Sequence, residues 1–415
     1  MITEILATGQ EIITGTVIDS NSAHIAQELE DAGLEVVRHS CVGDDLDALV
    51  SILQEIGGRS DIGIVTGGLG PTSDDITAEA VAKAAGVELA LDLTALNAIE
   101  ALFKARRRFM SLSNKKQAML PAGSECLHNP VGTAPGFCLN IGQCEFFFLP
   151  GVPHEMERML ADVVMPRIEK IQGIDKDVRM VKTIATFGLG EAATGERLDG
   201  FEAEFPDLTL GIRAKLPEIQ VKLYGRDRDE KSLYRRMEKA SAWVLEKLGR
   251  YVFSVDGNAM EVIIGELLGR KKATLAVAES CTGGLISHWL TNVPGSSEYF
   301  LFSGVTYSND AKKKILGVSA ETINRCGAVH EETVKEMAEG ARRIVGATYG
   351  LATSGIAGPA GGSADKPVGT VCIGLATDSS VQAYRFNFPF GNRLMKKKIF
   401  AIAALDVLRH KLQSC

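Results

Sequence analysis

Apolar residues along this chain recur with two periods. From the start to about residue 170, short β-branched runs alternate with stretches whose apolar positions return every three or four residues, the rhythm of an α/β fold around a mainly parallel sheet. ITEILAT predicts a strand, Asn21 is placed to cap a helix carrying Ile25 and Leu29 on one face with Gly33 at its end, and LEVVRHS predicts the next strand. Leu46, Leu49, Val50, Leu53 and Ile56 keep helical spacing, and Asp61 to Thr66 is a compact apolar strand running into GGLGPTSDD. EFFFLP predicts another buried strand, and HEMERMLADVVMPRIEKI a helix that Pro166 should kink or end.

From about 172 the character changes. QGIDKDVRM is a polar entry, TIATFGLGEAATGERL combines a strand with a short helix, EIQVKLYG alternates as a strand, and YRRMEKASAWVLEKLG is an amphipathic helix whose Arg235, Arg236 and Lys239 fit a solvated face. Near residue 256 the α/β rhythm restarts. Asn258 and Glu261 have capping-box spacing ahead of Met260, Ile264, Leu267 and Leu268. ATLAVA predicts a strand, ESCTGG a loop and LISHWLTNV a helix. FSGVTY predicts a strand ahead of a helix that Asn309 could cap, and EETVKEMAEGARRIVG a helix with Val334, Met337, Ala341 and Ile344 inward. YGLATSG and VGTVCIGLAT read as strands, and a last helix runs through KKKIFAIAALDVL. The expected architecture is two different α/β three-layer domains, 1–171 and 256–415, joined by a small α+β connector domain, 172–255.

Composition narrows the function classes. With 45% hydrophobic residues over 415 positions, a disordered or fibrous chain is excluded. The balance of 45 basic against 52 acidic residues, a net charge of -7, argues against neutralising long runs of phosphate, so no direct nucleic-acid binding is expected. No run approaches a membrane span and the first residues lack a signal-peptide pattern, so a soluble cytoplasmic protein is expected. Eight scattered cysteines without a CxxC pair fit reduced thiols.

The candidate chemistry gathers in glycine-rich loops. Ser280 stands at a strand-to-helix turn where Thr282, Gly283 and Gly284 offer backbone donors for a developing anion. A nucleophilic serine needs a base; no GxSxG elbow is present, and Lys312 could serve if burial lowered its pKa. Cys281, at the same helix start, is a rival nucleophile. Ser354 opens a second glycine loop, SGIAGPAGGSADKPVGT, and Arg393 could bind a phosphate in bidentate fashion. In the first segment, Gly67, Gly68 and Gly70 can cradle an anion beside Thr72, while Asp74 and Asp75, with Asp44 and Glu11 from neighbouring strand ends, can ligate a divalent metal.

These segments resemble a known family. AESCTGG, VPGSSEYF, YSNDAK, SGIAGPAGGS and KPVGT are similar to the nicotinamide-nucleotide amidase domain of the CinA family, and TGQEIITG, VIDSNS, VTGGLGPTSDD, NKKQAMLP, NPVGTAPGF and LPGVPHEM to its N-terminal domain, itself similar to molybdopterin-binding proteins. The resemblance implies that the C-terminal domain hydrolyses the carboxamide of nicotinamide mononucleotide to nicotinate mononucleotide and ammonia without a cofactor. Ser280 would attack the amide carbon, Lys312 take its proton and Tyr307 assist the lysine. Thr282, Gly283 and Gly284 would line the oxyanion pocket, and Ser354 and Arg393 would hold substrate polar groups. For the N-terminal domain it implies cleavage of ADP-ribose to AMP and ribose 5-phosphate with a divalent metal and potassium, the diphosphate over the glycine loop and Lys116 nearby. A homodimer is implied as well. Gln10, Ser113 and His330 depart from the family pattern. Rival readings are a non-catalytic nucleotide-binding scaffold, which ammonia release from nicotinamide mononucleotide would separate, and a molybdopterin-processing enzyme, which leaves residues 256–415 without a role.

Overall fold

The computed structural model of the chain describes residues 1–172 and 178–414. Residues 173–177 of the expected polar entry, and Cys415, lie outside the described residues. The chain divides into two compact units, Met1–Val181 with Arg226–Glu230, and Lys182–Gly225 with Lys231–Cys415. Both contain helices packed on sheets, so the α/β class read from the periodicity holds.

In the first unit a six-stranded sheet runs in the order Val36–Val42, Thr3–Thr8, Ile62–Thr66, Cys144–Leu149, Gly136–Ile141, Glu125–Leu127. The first four strands are parallel and the last two antiparallel. Helices cover both faces, so Thr3–Thr8 and Ile62–Thr66 are buried at every residue, the one charged side chain among them, Glu4, being paired with Arg59. The strand period of two divides the phenylalanine run. Phe146 and Phe148 join Leu49, Leu53, Ile56, Val81 and Ile99 on one face, while Phe147 and Leu149 join Ile25, Leu29, Met156 and Leu160 on the other. Each buried phenylalanine contributes about 1.5–3 kcal/mol, and Phe148 also stacks on Phe137 at 4.5 Å.

Two expectations change here. Asn21 does not cap its helix: Ser20–Asp31 is capped by Asp19, whose carboxylate accepts from the Ser22 N–H, so Asn21 sits inside the first turn. Nor does Pro166 end the helix. Pro153–Met159 continues through a π-helical stretch, Leu160–Val164, into Met165–Gln172, with the Met165 N–H bonded to the Leu160 carbonyl. The wider turn makes room for a ring that lacks an N–H.

Leu208–Lys215, Glu218–Asp227, Val178–Thr186 and Val252–Ser254 form a four-stranded sheet in that order, most of whose residues belong to the second unit. A five-stranded sheet follows, ordered Phe300–Val305, Leu275–Glu279, Tyr349–Gly355, Thr370–Ala376, Val381–Asn387, with its first three strands parallel and its last two antiparallel. Met260–Lys271, Leu285–Thr291 and Arg393–Gln413 pack on one face; Asn309–Leu316 and Glu331–Val345 pack on the other. Arg409 of the last helix, 2% exposed, pairs with Asp406 and donates to the carbonyls of Arg250 and Val252.

Three sequence readings fail in this unit. No capping box forms at Asn258 and Glu261, since Ala259 is the N-cap without a side-chain bond. Ser308, not Asn309, caps its helix, accepting from the Ala311 N–H. Ile344 is 44% exposed, because ten residues from Val334 amount to about 1000° of helical rotation, off the buried stripe that Ala338 completes. Among the described residues no helix is long and apolar enough to cross a membrane.

Candidate active sites

Ser280 is placed by the strand Leu275–Glu279, its N–H bonded at 3.0 Å to the Thr353 carbonyl of the neighbouring strand. Lys312 comes from the second turn of the helix capped by Ser308, which points the side chain under the end of the same sheet. Its Nζ lies 3.1 Å from Ser280 Oγ, 2.8 Å from the Thr306 carbonyl and 3.1 Å from the Tyr307 carbonyl. Lys312 is fully buried and Ser280 8% exposed. Burial pushes the lysine pKa down from its ordinary value; the nearby Cys281 Sγ opposes this more weakly. A neutral amine has two N–H donors and one lone pair. In that form the two carbonyls would take the donors and leave the lone pair for the Ser280 hydroxyl proton; in the charged form all three oxygens, Ser280 Oγ among them, accept from the ammonium.

The turn after Ser280 is held by a residue the sequence reading passed over. Glu279, fully buried, accepts from the N–H groups of Gly284, Ile286 and Ser287 and from the Ser287 hydroxyl. It occupies the helix N-terminus with a carboxylate. Consequently Gly284 is not a donor to an incoming oxyanion as expected. The Gly283 N–H also turns inward, 3.2 Å from the Ser280 carbonyl. Thr282 is fully buried and keeps its side chain on Thr353, Oγ1 to Oγ1 at 2.8 Å, so it does not offer the open donor expected of it. Gly283 has φ +62°, and Lys397 Nζ lies 3.4 Å from the point its Cβ would occupy, a cation that only folding brings to this turn.

The other expected residues surround this pair with altered roles. The Tyr307 ring does not reach the lysine; its main-chain carbonyl does, while the side chain is 60% exposed with its hydroxyl 3.1 Å from Arg393 Nη2. Arg393 also donates to the Gly358 carbonyl in the second glycine loop, at 2.7 Å. Ser354, almost fully buried, gives its proton to the Ala328 carbonyl, so only its oxygen could accept from a ligand. Cys281, the rival nucleophile, is buried, and burial pushes its thiol up to about 12, which keeps it protonated and disfavours it beside Ser280. His330 is the N-cap of Glu331–Val345, its Nδ1 accepting from the Glu332 N–H.

In the first unit, three parallel strands end side by side at Thr8, Thr66 and Leu149, and the loops that follow enclose a cavity of about 550 Å³. Gly67, Gly68, Gly70, Asp44, Asp74, Asp75 and Glu11 all line it, together with Asp19, Asn21 and Glu155. Gly67 and Gly68 have φ +111° and +65°, and a Cβ on Gly68 would fall 2.1 Å from Thr77 Oγ1, so the backbone path itself requires glycine. Asp75 is engaged by the Thr72 N–H and hydroxyl, Asp44 by the Gln10 N–H at 3.0 Å, and hydrogen bonding from Thr72 holds the Asp74 carboxyl below its ordinary value. Lys116 bonds to the Thr72 carbonyl outside the cavity wall. Asn21 donates to Thr66 Oγ1 and to the Gly151 carbonyl, each at 2.9 Å, tying two of the loops together. Among the described residues no three His, Cys, Asp or Glu side chains stand close enough to hold a metal by themselves.

Protein-family models match along the chain: a probable molybdopterin binding domain at residues 4–170, the damage-inducible protein CinA KH domain at 181–254, and the CinA C-terminal domain at 257–412. A CinA-like protein of Desulfosudis oleivorans is 55% identical over 412 residues, covering 99% of this chain and all of that protein. One from Geobacter metallireducens is 43% identical over 414 residues, covering 100% of both. Among solved structures, the protein CinA from Thermoplasma acidophilum, described as of unknown function, is 35% identical, covering 40% of this chain and 96% of that one with a TM-score of 0.37.

Proposed function

The chain belongs to the CinA family, and from that premise we propose that it is a bifunctional hydrolase of pyridine-nucleotide breakdown products, with its domains at 1–171, 172–255 and 256–415. The C-terminal site hydrolyses the carboxamide of nicotinamide mononucleotide. The observation that carries this reading is the 3.1 Å approach of a buried lysine amine to Ser280 Oγ, with both remaining amine donors used by carbonyls. Ser280 Oγ attacks the amide carbon as its proton passes to Lys312 Nζ, and the carbonyl oxygen becomes an oxyanion at the turn that follows Ser280. Lys312 returns the proton to the departing nitrogen, so ammonia leaves and an ester on Ser280 remains. Water attacks the ester with Lys312 again as base, releasing nicotinate mononucleotide and the free serine. Arg393, set between Tyr307 and the second glycine loop, holds the 5'-phosphate, and Ser354 accepts from a substrate donor.

The first unit's cavity takes ADP-ribose, which water cleaves to AMP and ribose 5-phosphate. Its lining holds six carboxylates and no Lys, Arg or His, so a diphosphate enters only with cations between it and the wall. The hard oxygen donors suit a divalent ion with potassium; since no three stand together, no more than two of Asp44, Asp74 and Asp75 would hold one ion, the phosphates and water completing its shell. When bound, that ion supplies charge neutralisation at the diphosphate. Gly68 and Gly70 bring their backbone against the phosphate oxygens, while the Gly67 N–H is held by the Leu149 carbonyl and Lys116 positions Thr72. A cytoplasmic homodimer belongs to the same reading. The decisive assay measures ammonia released from nicotinamide mononucleotide by wild type and Ser280→Ala. Loss of release in the variant is expected; equal release would remove Ser280 from the mechanism, and none from wild type would leave a binding scaffold.

A further inference from the structure

The stretch from Ala101 to Ser124 carries six basic residues and no acidic one, in a chain whose net charge is -7. It leaves the helix Leu93–Ala105 and is fastened at both ends beside the carboxylate-lined cavity. Arg106 Nη2 donates to the Val131 carbonyl at 2.6 Å, two residues before Thr133 of the cavity wall, and Lys116 donates to the Thr72 carbonyl of the glycine loop. Phe103 and Met110 pack on the core beneath. Between these anchors the chain turns outward through Arg107, at φ +52°, and leaves Phe109 fully exposed and Leu112 83% exposed. Among the described residues neither Arg107 nor Arg108 makes an ion pair.

An aromatic face held wholly in water beside unpaired guanidiniums costs solvation and gains nothing within the fold, whereas it matches a flat heterocycle carrying negative charge. The cavity next to it lacks any cation of its own. We propose that Arg107, Arg108 and Phe109 form a nucleobase subsite, Phe109 stacking on the base and the two guanidiniums drawing the adjoining phosphate of a nucleoside diphosphate derivative seated in the cavity. This inference rests on the diphosphate reading of the cavity above.

The test titrates the intact chain with ADP and, separately, with inorganic pyrophosphate, both with magnesium, by calorimetry. Phe109→Ala is expected to weaken ADP about tenfold, the scale of one lost base stack, and to leave pyrophosphate within twofold. In Phe109→Trp, tryptophan emission should be quenched by ADP and not by pyrophosphate, a signal that a merely structural phenylalanine would not produce. ADP affinity unchanged in Phe109→Ala, with pyrophosphate still bound, overturns the subsite and leaves the cavity reading standing. Wild type that binds neither probe overturns both. A sedimentation coefficient altered by Phe109→Ala would instead assign the patch to a second copy of the chain, and Phe109-dependent binding of oligoadenylate without ADP binding would assign it to a polymer; either result overturns the proposal.

Discussion

Lys312 is a base because of where it is, and its pH behaviour follows. Burial lowers its pKa in the folded protein from an ordinary 10.5. Turnover needs the free amine, so kcat/KM for amide hydrolysis should rise with pH along a limb whose midpoint lies below 10.5. Between the folded and unfolded values the unfolded chain binds a proton that the folded chain lacks, so stability should climb with pH through that window and level off above the unfolded value. Lys312→Met is expected to cut turnover by about 10²–10⁴-fold while raising Tm at neutral pH, since an apolar chain replaces a buried amine. A falling Tm would mean that the two carbonyl bonds outweigh desolvation. Cys281→Ala, by contrast, should keep turnover near wild type, because a thiol at about 12 is protonated at neutral pH.

Elements were legible where many residues vote together and obscure where one polar group decides. The spacing from Leu46 to Ile56 predicts its helix because several apolar positions agree, and the phenylalanine strand shows itself by density. Capping fails at Asn21, Asn258 and Asn309 because Asp19 and Ser308 lie within two residues of the first and third and offer equally good acceptors, while at the second the start has no side-chain cap. The reactive pair was readable from its motifs, although 32 residues separate Ser280 and Lys312. What surrounds it was not: the carbonyls of Thr306, Tyr307 and Thr353 carry no side-chain signature, and Lys397 lies over 100 positions from the turn it approaches. Glu279 belongs between these cases, since a carboxylate buried at a strand end just before a helix has few other uses. Glu279→Ala strips three N–H groups of their acceptor and should cost at least about 3 kcal/mol, read as a drop in the denaturation midpoint, with ammonia release lost before the fold is. Unchanged stability would show that water replaces the carboxylate.

For the whole molecule, the division into two units predicts that their chemistries are separable within the intact chain. Asp75→Asn should abolish ADP-ribose cleavage and leave ammonia release within about twofold, and Ser280→Ala the reverse, each followed in one preparation by paired product assays. Loss of both products from a single substitution would show that the units are energetically coupled. The described thiols offer an independent readout. Cys144 lies in the first unit and Cys281 and Cys372 in the second; all three are buried, with the thiol pushed up to about 12 in each. Groups that the catalysis leaves idle thereby become stopwatches. During gradual denaturation, maleimide uptake at 144 timed against uptake at 281 and 372 would reveal whether the halves come apart in one event or in succession, with no foreign label built into the chain.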